Sequence, residues 1–408
     1  MTDDDHTIDD GLTTDGIENR TRRRILAAGL AGAAGLIAGC SEGGDGSPGG
    51  TTSDGSGGGT QDVSIPDLSS FRGSGAVIEG RQAPGGTSIA ELPDLSGSLN
   101  LYIGGGEGGI YLEFVEMLQD IYPEFEVFTT SASSSSLAQT VVEEVNAGAS
   151  RADVFWSIDA SSLGFVADND AYDPLTDEVV SPVPSDFVGS DNAWVGVAGR
   201  ARSVPYNTNQ LSEDDIPDTV AAFPDTDALA GSMAWAPTYG AFKSFVTAMR
   251  LQRGPEATRE WLVAMREADT VKVPNEFVVS SQVADGTHDA GFANHYYAMR
   301  VKNRRPDAPL DLAFTRNDAG ALVNVAGTLQ IRGTEKGQLV EDFLRHLLSA
   351  EAQEFFATVS FAYPMTPEVE PVGDLPTVDE LDPPDIDLSE LSDLEPTLEL
   401  MRDAGVLG

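Results

Sequence analysis

The sequence predicts an α/β protein of two lobes, each built on a mostly parallel sheet flanked by helices. Short apolar strands alternate with segments of helical periodicity between residues 98 and 156, and the same alternation returns between residues 232 and 293. The chain has 408 residues, which is enough for two or three domains. Strands that alternate with helices form parallel sheets, because each helix carries the chain back to the end where the previous strand began.

The first alternation starts at residue 98. We predict strands at residues 99–103, 126–129 and 152–156, where apolar residues are concentrated in short runs. Helices are expected at 110–121 and 136–146, because their apolar residues recur about every 3.6 positions. This order predicts two consecutive βαβ units.

The second alternation occupies the middle of the chain, and helices dominate its end. Strands are predicted at 232–236, near Val271 and at 291–293, and helices at 242–252, 255–266 and 280–285. Further helices are predicted at 337–348, 351–358 and 397–402. An apolar segment at 322–326 indicates a return crossing between the lobes. We expect two crossings, near 198–203 and 325–328, to form a hinge.

The charge is strongly acidic. Against 24 Lys and Arg stand 66 Asp and Glu, for a net charge of −42, and the acids are spread along the whole chain. This pattern is typical of a protein that stays soluble in concentrated salt, where repulsion is screened. It argues against a nucleic-acid partner, because phosphate binding needs clustered Lys and Arg.

The N-terminus predicts export and membrane anchoring. Paired arginines, Arg22 and Arg23, precede an apolar run at 25–38 that is too short to span a bilayer. Small residues then precede Cys40, the only cysteine of the chain. We interpret residues 1–39 as a twin-arginine lipoprotein signal and Cys40 as the lipid attachment site. The alternative is a buried apolar helix with a chance cysteine.

Residues 40–97 connect this signal to the lobes. Gly, Ser, Thr and Asp dominate 41–60, which cannot bury apolar surface and is typical of a flexible tether. Residues 61–97 carry scattered Pro and Gly around short apolar pieces, and we treat them as a lead-in. We therefore expect a lobed body held away from a membrane.

A glycine-rich run, residues 104–109, follows the first predicted strand and opens a helix. It satisfies the G-x-G-x-x-G pattern of dinucleotide-binding folds, but Glu107 places a carboxylate where a pyrophosphate would lie. A plain tight turn and a helix N-terminus that faces a ligand are the other interpretations.

Motifs of common enzyme classes are absent from the sequence. It contains no HExxH, CxxC or GxSxG pattern. The three histidines beyond the signal, His288, His295 and His346, are too scattered for a zinc enzyme. The sequence therefore favours a binding protein, although spacing alone does not exclude a hydrolase triad.

Two adjacent tyrosines, Tyr296 and Tyr297, follow the last strand of the second alternation. Adjacent strand residues point to opposite faces, so both can serve one site only where the strand ends or enters a helix. The alternative is that both are half-buried aromatic residues with satisfied hydroxyl groups.

Six segments in order resemble the periplasmic ferric-iron-binding proteins of ABC importers, over about residues 98–408. They are 152–156 (ADVFW), 199–202 (GRAR) followed by 206–208 (YNT), 236–242 (APTYGAF), 294–297 (NHYY), 319–327 (AGALVNVAG) and 347–353 (LLSAEAQ). The resemblance implies the two-lobed type 2 periplasmic-binding-protein fold, with the ligand in the cleft between the lobes.

The resemblance also implies metal ligands. In this family the adjacent tyrosines, here Tyr296 and Tyr297, bind Fe³⁺ as phenolates, and Tyr239 matches a third tyrosine found in one subgroup. Chemistry agrees, because Fe³⁺ is small and highly charged, prefers anionic oxygen, and can deprotonate a phenol. Iron is then the transported ligand, and no bond is made or broken.

A synergistic anion such as carbonate accompanies iron in relatives, and the resemblance implies where it would bind. Arg202 matches the arginine that pairs with this anion, with Arg200 as the alternative. Asn275 and Asn294 match polar positions of the same cleft. An ordinary ion pair for the arginine and structural roles for both asparagines are the other interpretations.

The sequence departs from the family where relatives place a His or Tyr ligand in the loop after the first strand. Only Glu107 of the glycine-rich run could replace that ligand. Asp159 is the nearest match to a glutamate ligand of relatives, but it also suits a helix N-cap. We expect His295 to be structural and Tyr206 to pack near the hinge.

We therefore predict a non-enzymatic lipoprotein, monomeric and anchored outside the cytoplasmic membrane, that binds Fe³⁺ and delivers it to an ABC permease and its ATPase. Lobe 1 comprises residues 98–202 and 327–377, and lobe 2 comprises 203–326 and 378–408. Alternatives are the same fold binding an organic anion such as a phosphonate or carboxylate without metal, an exported hydrolase, and a passive surface lipoprotein.

Overall fold

A computed structural model describes residues 63–106 and 108–407. The export signal at 1–39, Cys40, the tether at 41–60 and Glu107 lie outside the described residues. In the part of the chain that is described, no helix combines the length and hydropathy needed to cross a bilayer.

The first βαβ units form as predicted, with elements slightly longer than the apolar runs. Their elements are β1 (Gly97–Gly104), α1 (Gly108–Ile121), β2 (Phe125–Ala132), α2 (Ser134–Asn146), β3 (Val154–Ser157) and α3 (Ala160–Asp168), followed by β4 (Tyr172–Asp173) and α4 (Asp177–Val180). Strand β1 pairs in parallel with both β2 and β3. The predicted βαβ units at this end of the chain are thus confirmed.

The middle of the chain adds the second set of elements. They are β5 (Val195–Asn207), β6 (Met233–Trp235), α5 (Gly240–Arg253), α6 (Pro255–Glu267), β7 (Val271–Lys272), α7 (Glu276–Ala284), β8 (Ala290–Gly291), β9 (Ala293–Asn294), α8 (His295–Arg304) and β10 (Leu310–Ala313). Strand β6 pairs in parallel with β7 and β8. Helix α7 begins one turn before the predicted 280–285, because Asn275 caps it by accepting a hydrogen bond from the Val278 amide.

The last third returns to the first sheet. Its elements are β11 (Val323–Ile331), α9 (Gly337–Leu347), α10 (Ala350–Phe355), β12 (Tyr363–Pro364) and α11 (Glu395–Asp403). The helix predicted at 351–358 is divided, because α10 passes into a π-helical turn at Phe356–Ser360. Strand β11 runs antiparallel to β3 and β5, so the sheet is mixed rather than mostly parallel.

One long strand, β5, is shared by both halves of the sheet. Up to Ala201 it pairs with β11 and β12, and from Arg202 onward it pairs with β8, β9 and β10. This change of partners lies within the predicted crossing at 198–203. The other predicted crossing, 325–328, lies inside β11, where the pairing with β5 shifts register between Ala326 and Gly327.

Each half has its own aromatic core. In the first, Tyr111 stacks on Trp156 with ring centroids 5.2 Å apart, and Phe356 contacts both rings. In the second, Trp235, Phe242, Phe245, Trp261 and Phe292 pack together and are buried. Burial of this apolar area stabilises both halves without a disulfide.

Residues 63–96, here called the N-terminal strap, pack against the body of the protein. Arg72 and Arg81 both form salt bridges to the fully buried Glu354 of α10. At Gly73 a Cβ would stand 2.2 Å from the Thr358 carbonyl oxygen, so only glycine fits this approach. The side-chain amide of Asn303 on α8 donates to the Ser74 carbonyl. The strap therefore contacts both α10 and α8.

Candidate functional site

Tyr296 and Tyr297 lie in the first turn of α8. Strand β9 ends at Asn294 and α8 begins at His295, which is the strand-to-helix junction that two adjacent side chains need to reach one site. Their ring centroids are 4.2 Å apart. Tyr296 is buried, whereas Tyr297 is half-buried.

Tyr239 comes to the same place from another element. It is the N-cap residue of α5 and follows the end of β6 at Trp235 after a short turn. Its hydroxyl group and that of Tyr297 share a hydrogen bond, and the two ring centroids are 6.1 Å apart. Phe277, at the start of α7, stands edge-on to Tyr297 at 6.4 Å and is 39% exposed. The fold thus assembles the three predicted tyrosines into one half-buried cluster.

Arg202 forms an ion pair, which is the other interpretation of this residue, and its partner is Glu276 at the start of α7. Its Nη1 is 2.5 Å from Oε1 of Glu276 and 3.2 Å from the side-chain oxygen of Asn294. The second oxygen of Glu276 accepts from the Asn294 backbone amide at 2.7 Å. Arg202 is 3% exposed and Glu276 is 0% exposed. The pair therefore joins β5 to the first turn of α7 and to the N-cap residue of α8.

The predicted anion ligands have structural contacts of their own. Asn275 caps α7 through its side-chain oxygen, 2.9 Å from the Val278 amide nitrogen. The side-chain oxygen of Asn294 accepts a hydrogen bond from Arg202, and Asn294 directly precedes α8. Arg200 donates to the Ile158 carbonyl. Nη2 of Arg202 is buried and forms no hydrogen bond with the described residues.

Asp159 is the N-cap of α3. One carboxylate oxygen accepts from the Ser162 amide at 2.8 Å and from the Ser161 hydroxyl at 2.6 Å. The capping interpretation is confirmed.

Two predicted site residues fall outside the described residues: Glu107, the expected replacement ligand, and Cys40, the expected lipid attachment site. Before position 107, β1 ends at Gly104 and the Gly105 amide donates to the Ala132 carbonyl at 2.7 Å. Gly106 has a φ of +73°, and α1 begins at Gly108. The described part of the glycine-rich run is therefore a strand end followed by a left-handed residue.

His295 is fully buried, and both of its ring nitrogens contact the backbone. Nδ1 accepts from the Ala201 amide at 3.2 Å, and Nε2 donates to the Phe361 carbonyl at 2.7 Å. Burial lowers the pKa of His295 from 6.5 to about 4. The residue is structural, as predicted, and it joins α8 to β5 and to the segment after the π-helical turn.

We expect the buried His295 to make the protein less stable in mild acid. Its folded-state pKa is below its unfolded value, so as pH falls from 6.5 toward 4 only the unfolded state gains the proton. The loss reaches on the order of 3 kcal/mol near pH 4. Urea unfolding of iron-free protein at pH 7.5, 6 and 5 should show a larger loss for the wild type than for His295→Gln.

If the free energy of unfolding fell equally with pH in the wild type and in His295→Gln, the attribution of this loss to His295 would be contradicted. His346 and His288, whose pKa values burial also lowers, remain in both proteins, so their contributions cancel in the comparison.

The described residues contain no group of three or more His, Cys, Asp or Glu side chains placed to hold a metal ion. The chemistry gathered at the site is instead that of phenols. Phenols that lose their protons supply the anionic oxygen that Fe³⁺ prefers.

The sequence does not single out two charged residues of this region: Glu276, which pairs with Arg202, and Arg300, which lies over the rings of Tyr296 and Tyr297. Glu276 carries no distinguishing signal, because an acid in the first turn of a helix is common at exposed positions. Arg300 does carry a signal in the sequence, because it follows Tyr296 by four positions and Tyr297 by three on the same helix.

Residues 114–381 match the model of the bacterial extracellular solute-binding protein family. The chain belongs to this family. Its fold is the two-lobed type 2 periplasmic-binding-protein fold, as predicted.

Relatives of this solute-binding protein include two that are named for iron. It is 28% identical over 286 residues to the major ferric iron-binding protein of Neisseria meningitidis serogroup B, covering 69% of this chain and 85% of that protein. It is 26% identical to the Fe(3+)-binding periplasmic protein of Serratia marcescens, covering 69% and 83% of the two chains.

Solved structures that are similar to this chain support the family assignment. Iron-bound HitA from Pseudomonas aeruginosa is 26% identical, with a TM-score of 0.64, over 76% of this solute-binding protein and 99% of HitA. The Trichodesmium IdiA (FutA) structure with iron and citrate has a TM-score of 0.62 and 21% identity, over 76% of this chain and 100% of that one. At this identity the similarity supports the fold only.

Proposed function

We propose that this solute-binding protein captures Fe³⁺ in the cleft between its lobes and delivers it to an ABC permease. The observation that carries the proposal is the cluster of Tyr239, Tyr296 and Tyr297, in which two phenol oxygens are already hydrogen-bonded to each other. Similarity to proteins named for ferric iron supports it. No catalytic step is needed, and the chain is not an enzyme.

The three tyrosines bind iron as phenolates. A phenol ordinarily keeps its proton near neutral pH, and the charge of Fe³⁺ stabilises the anion enough to displace it. Loading therefore releases protons. It also replaces the Tyr239–Tyr297 hydrogen bond with two bonds to the metal.

Glu107 is proposed as a further ligand on its chemistry and its sequence position, because a carboxylate is a second kind of anionic oxygen suited to Fe³⁺. It belongs to the segment between β1 and α1, whereas the tyrosines belong to α5 and α8. Ligands from both lobes would couple iron binding to lobe closure, since the closed form alone completes the set.

Arg202, Asn275 and Asn294 are proposed to hold a synergistic anion such as carbonate, with Arg200 as the alternative arginine. The buried Nη2 of Arg202, which has no hydrogen-bond partner among the described residues, supports this role. An organic anion without metal is the less supported ligand, because the similar proteins are named for ferric iron.

The remaining proposals concern the whole protein. Lobe 1 comprises residues 98–202 and 327–377, lobe 2 comprises 203–326 and 378–408, and the two crossings form the hinge. Cys40 carries the lipid that anchors a monomer to the outer face of the cytoplasmic membrane. The permease and its ATPase recognise the closed, iron-loaded form.

Iron titration tests the proposed function. The purified protein is mixed with ferric citrate, freed of excess iron, and examined by visible spectroscopy and metal analysis. We expect one iron per chain and a visible phenolate-to-iron charge-transfer band. A colourless, iron-free protein that an organic anion stabilises against heat would contradict the proposal and favour the metal-free alternative.

A further inference from the structure

Arg300 lies over both tyrosine rings of α8. Its guanidinium carbon is 5.1 Å from the ring centroid of Tyr296 and 5.7 Å from that of Tyr297. The arrangement follows from helix geometry, since side chains three and four positions apart lie on the same face. One cation therefore serves two adjacent aromatic rings.

The charge of Arg300 is not neutralised by a carboxylate among the residues that the structure describes, because none of their salt bridges includes it. Its charged neighbours around α8 are themselves paired: Arg202 with Glu276, and Lys302 with Asp311. His295 is held neutral by burial. The described environment thus leaves the tyrosine rings as the partners of this guanidinium.

A cation over an aromatic face interacts with the electron density of the ring, and the interaction strengthens where water is excluded. A phenolate ring carries far more negative charge than a phenol ring, so the same cation stabilises the phenolate more. Tyr296 is buried, which places one of the two contacts away from solvent.

We propose that Arg300 stabilises the phenolate forms of Tyr296 and Tyr297 and thereby strengthens iron binding. This inference rests on the proposed function. Arg300 is a positioning residue, because it acts through the tyrosines and does not bind iron. Its cation also lowers the energy of the donor electrons on the phenolates, so charge transfer to iron requires more energy when Arg300 is present.

Substitution of Arg300 tests the inference. Arg300→Met removes the charge and keeps an unbranched apolar stem, whereas Arg300→Lys keeps the charge. The matched control is Arg304→Met, which removes the same charge from an exposed position in the last turn of α8. Each protein is loaded with ferric citrate, and the charge-transfer band and the iron affinity against citrate are measured.

We expect Arg300→Met to move the band to longer wavelength and to weaken iron binding about tenfold, the order of a desolvated cation–π contact. Arg300→Lys should recover part of both changes, and Arg304→Met should match the wild type. The band reports only folded, iron-loaded molecules, so partial unfolding would lower its intensity without moving it.

A wild-type band position and affinity in Arg300→Met would overturn the inference while leaving the proposed function intact. A wild-type protein that takes up no iron would instead overturn the proposed function, and the inference with it.

Discussion

Replacing Tyr296 and Tyr297 together by phenylalanine is expected to remove most of the visible band and to lower iron affinity by about a hundredfold or more, which is at least about 1.4 kcal/mol for each lost ligand. The change removes two phenolate oxygens from one site and leaves Tyr239 alone. Because Phe keeps the ring, the contacts with Arg300 and Phe277 keep their apolar surface. Visible spectra and bound-iron analysis after addition of ferric citrate measure the loss.

Tyr172→Phe is the matched control for this variant. Tyr172 is a half-buried tyrosine of β4, paired with β11 and outside the tyrosine cluster. It should bind iron as the wild type does. A double variant that retained both colour and iron would remove the adjacent tyrosines from the proposed ligand set, and Tyr239→Phe would then show whether the third tyrosine matters.

Glu276→Gln is expected to be the most destabilising change near the site, by about 3–5 kcal/mol, because it leaves the Arg202 guanidinium buried without its counter-charge. Both groups are almost fully excluded from water. The same carboxylate accepts a hydrogen bond from the Asn294 backbone amide, so the first turn of α8 should become less stable as well. Urea unfolding of the iron-free protein measures the free energy.

The double variant Arg202→Met/Glu276→Gln separates a buried-charge penalty from lost packing. It removes the uncompensated guanidinium and keeps an oxygen acceptor for Asn294, so it should recover most of the lost stability. Asp285→Asn, which breaks the exposed pair with Arg305, should leave the unfolding midpoint unchanged. Equal losses in the single and double variants would show that packing alone is responsible.

Periodicity predicted the βαβ units well, because hydrophobic spacing reports directly which face of each element is buried. The largest departure is β5, for which the sequence predicts only a crossing near 198–203. Its thirteen residues, Val195–Asn207, are almost all buried, so they lack the alternation that marks a half-exposed strand. The antiparallel pairing of β11 with β3 and β5 is likewise set by contacts between distant parts of the chain, which local hydrophobic spacing does not report.

The lead-in shows a similar limit. Residues 61–97 carry little apolar periodicity, yet the strap is held by two arginines on Glu354 and by the close approach of Gly73. Those partners are more than 250 positions away along the chain. Local composition carries no information about such contacts.

For the site, residue types and their spacing already indicate phenol chemistry. Tyr296 and Tyr297 are adjacent in the sequence, and their place at the end of a strand already required a turn into a helix for both to serve one site. The hydrogen bond between Tyr239 and Tyr297 and the ion pair between Glu276 and Arg202 are visible only in the folded chain. Residue types and local spacing limit the chemistry that a side chain can perform, whereas its hydrogen-bond and ion-pair partners are set by packing between elements that are distant in the chain.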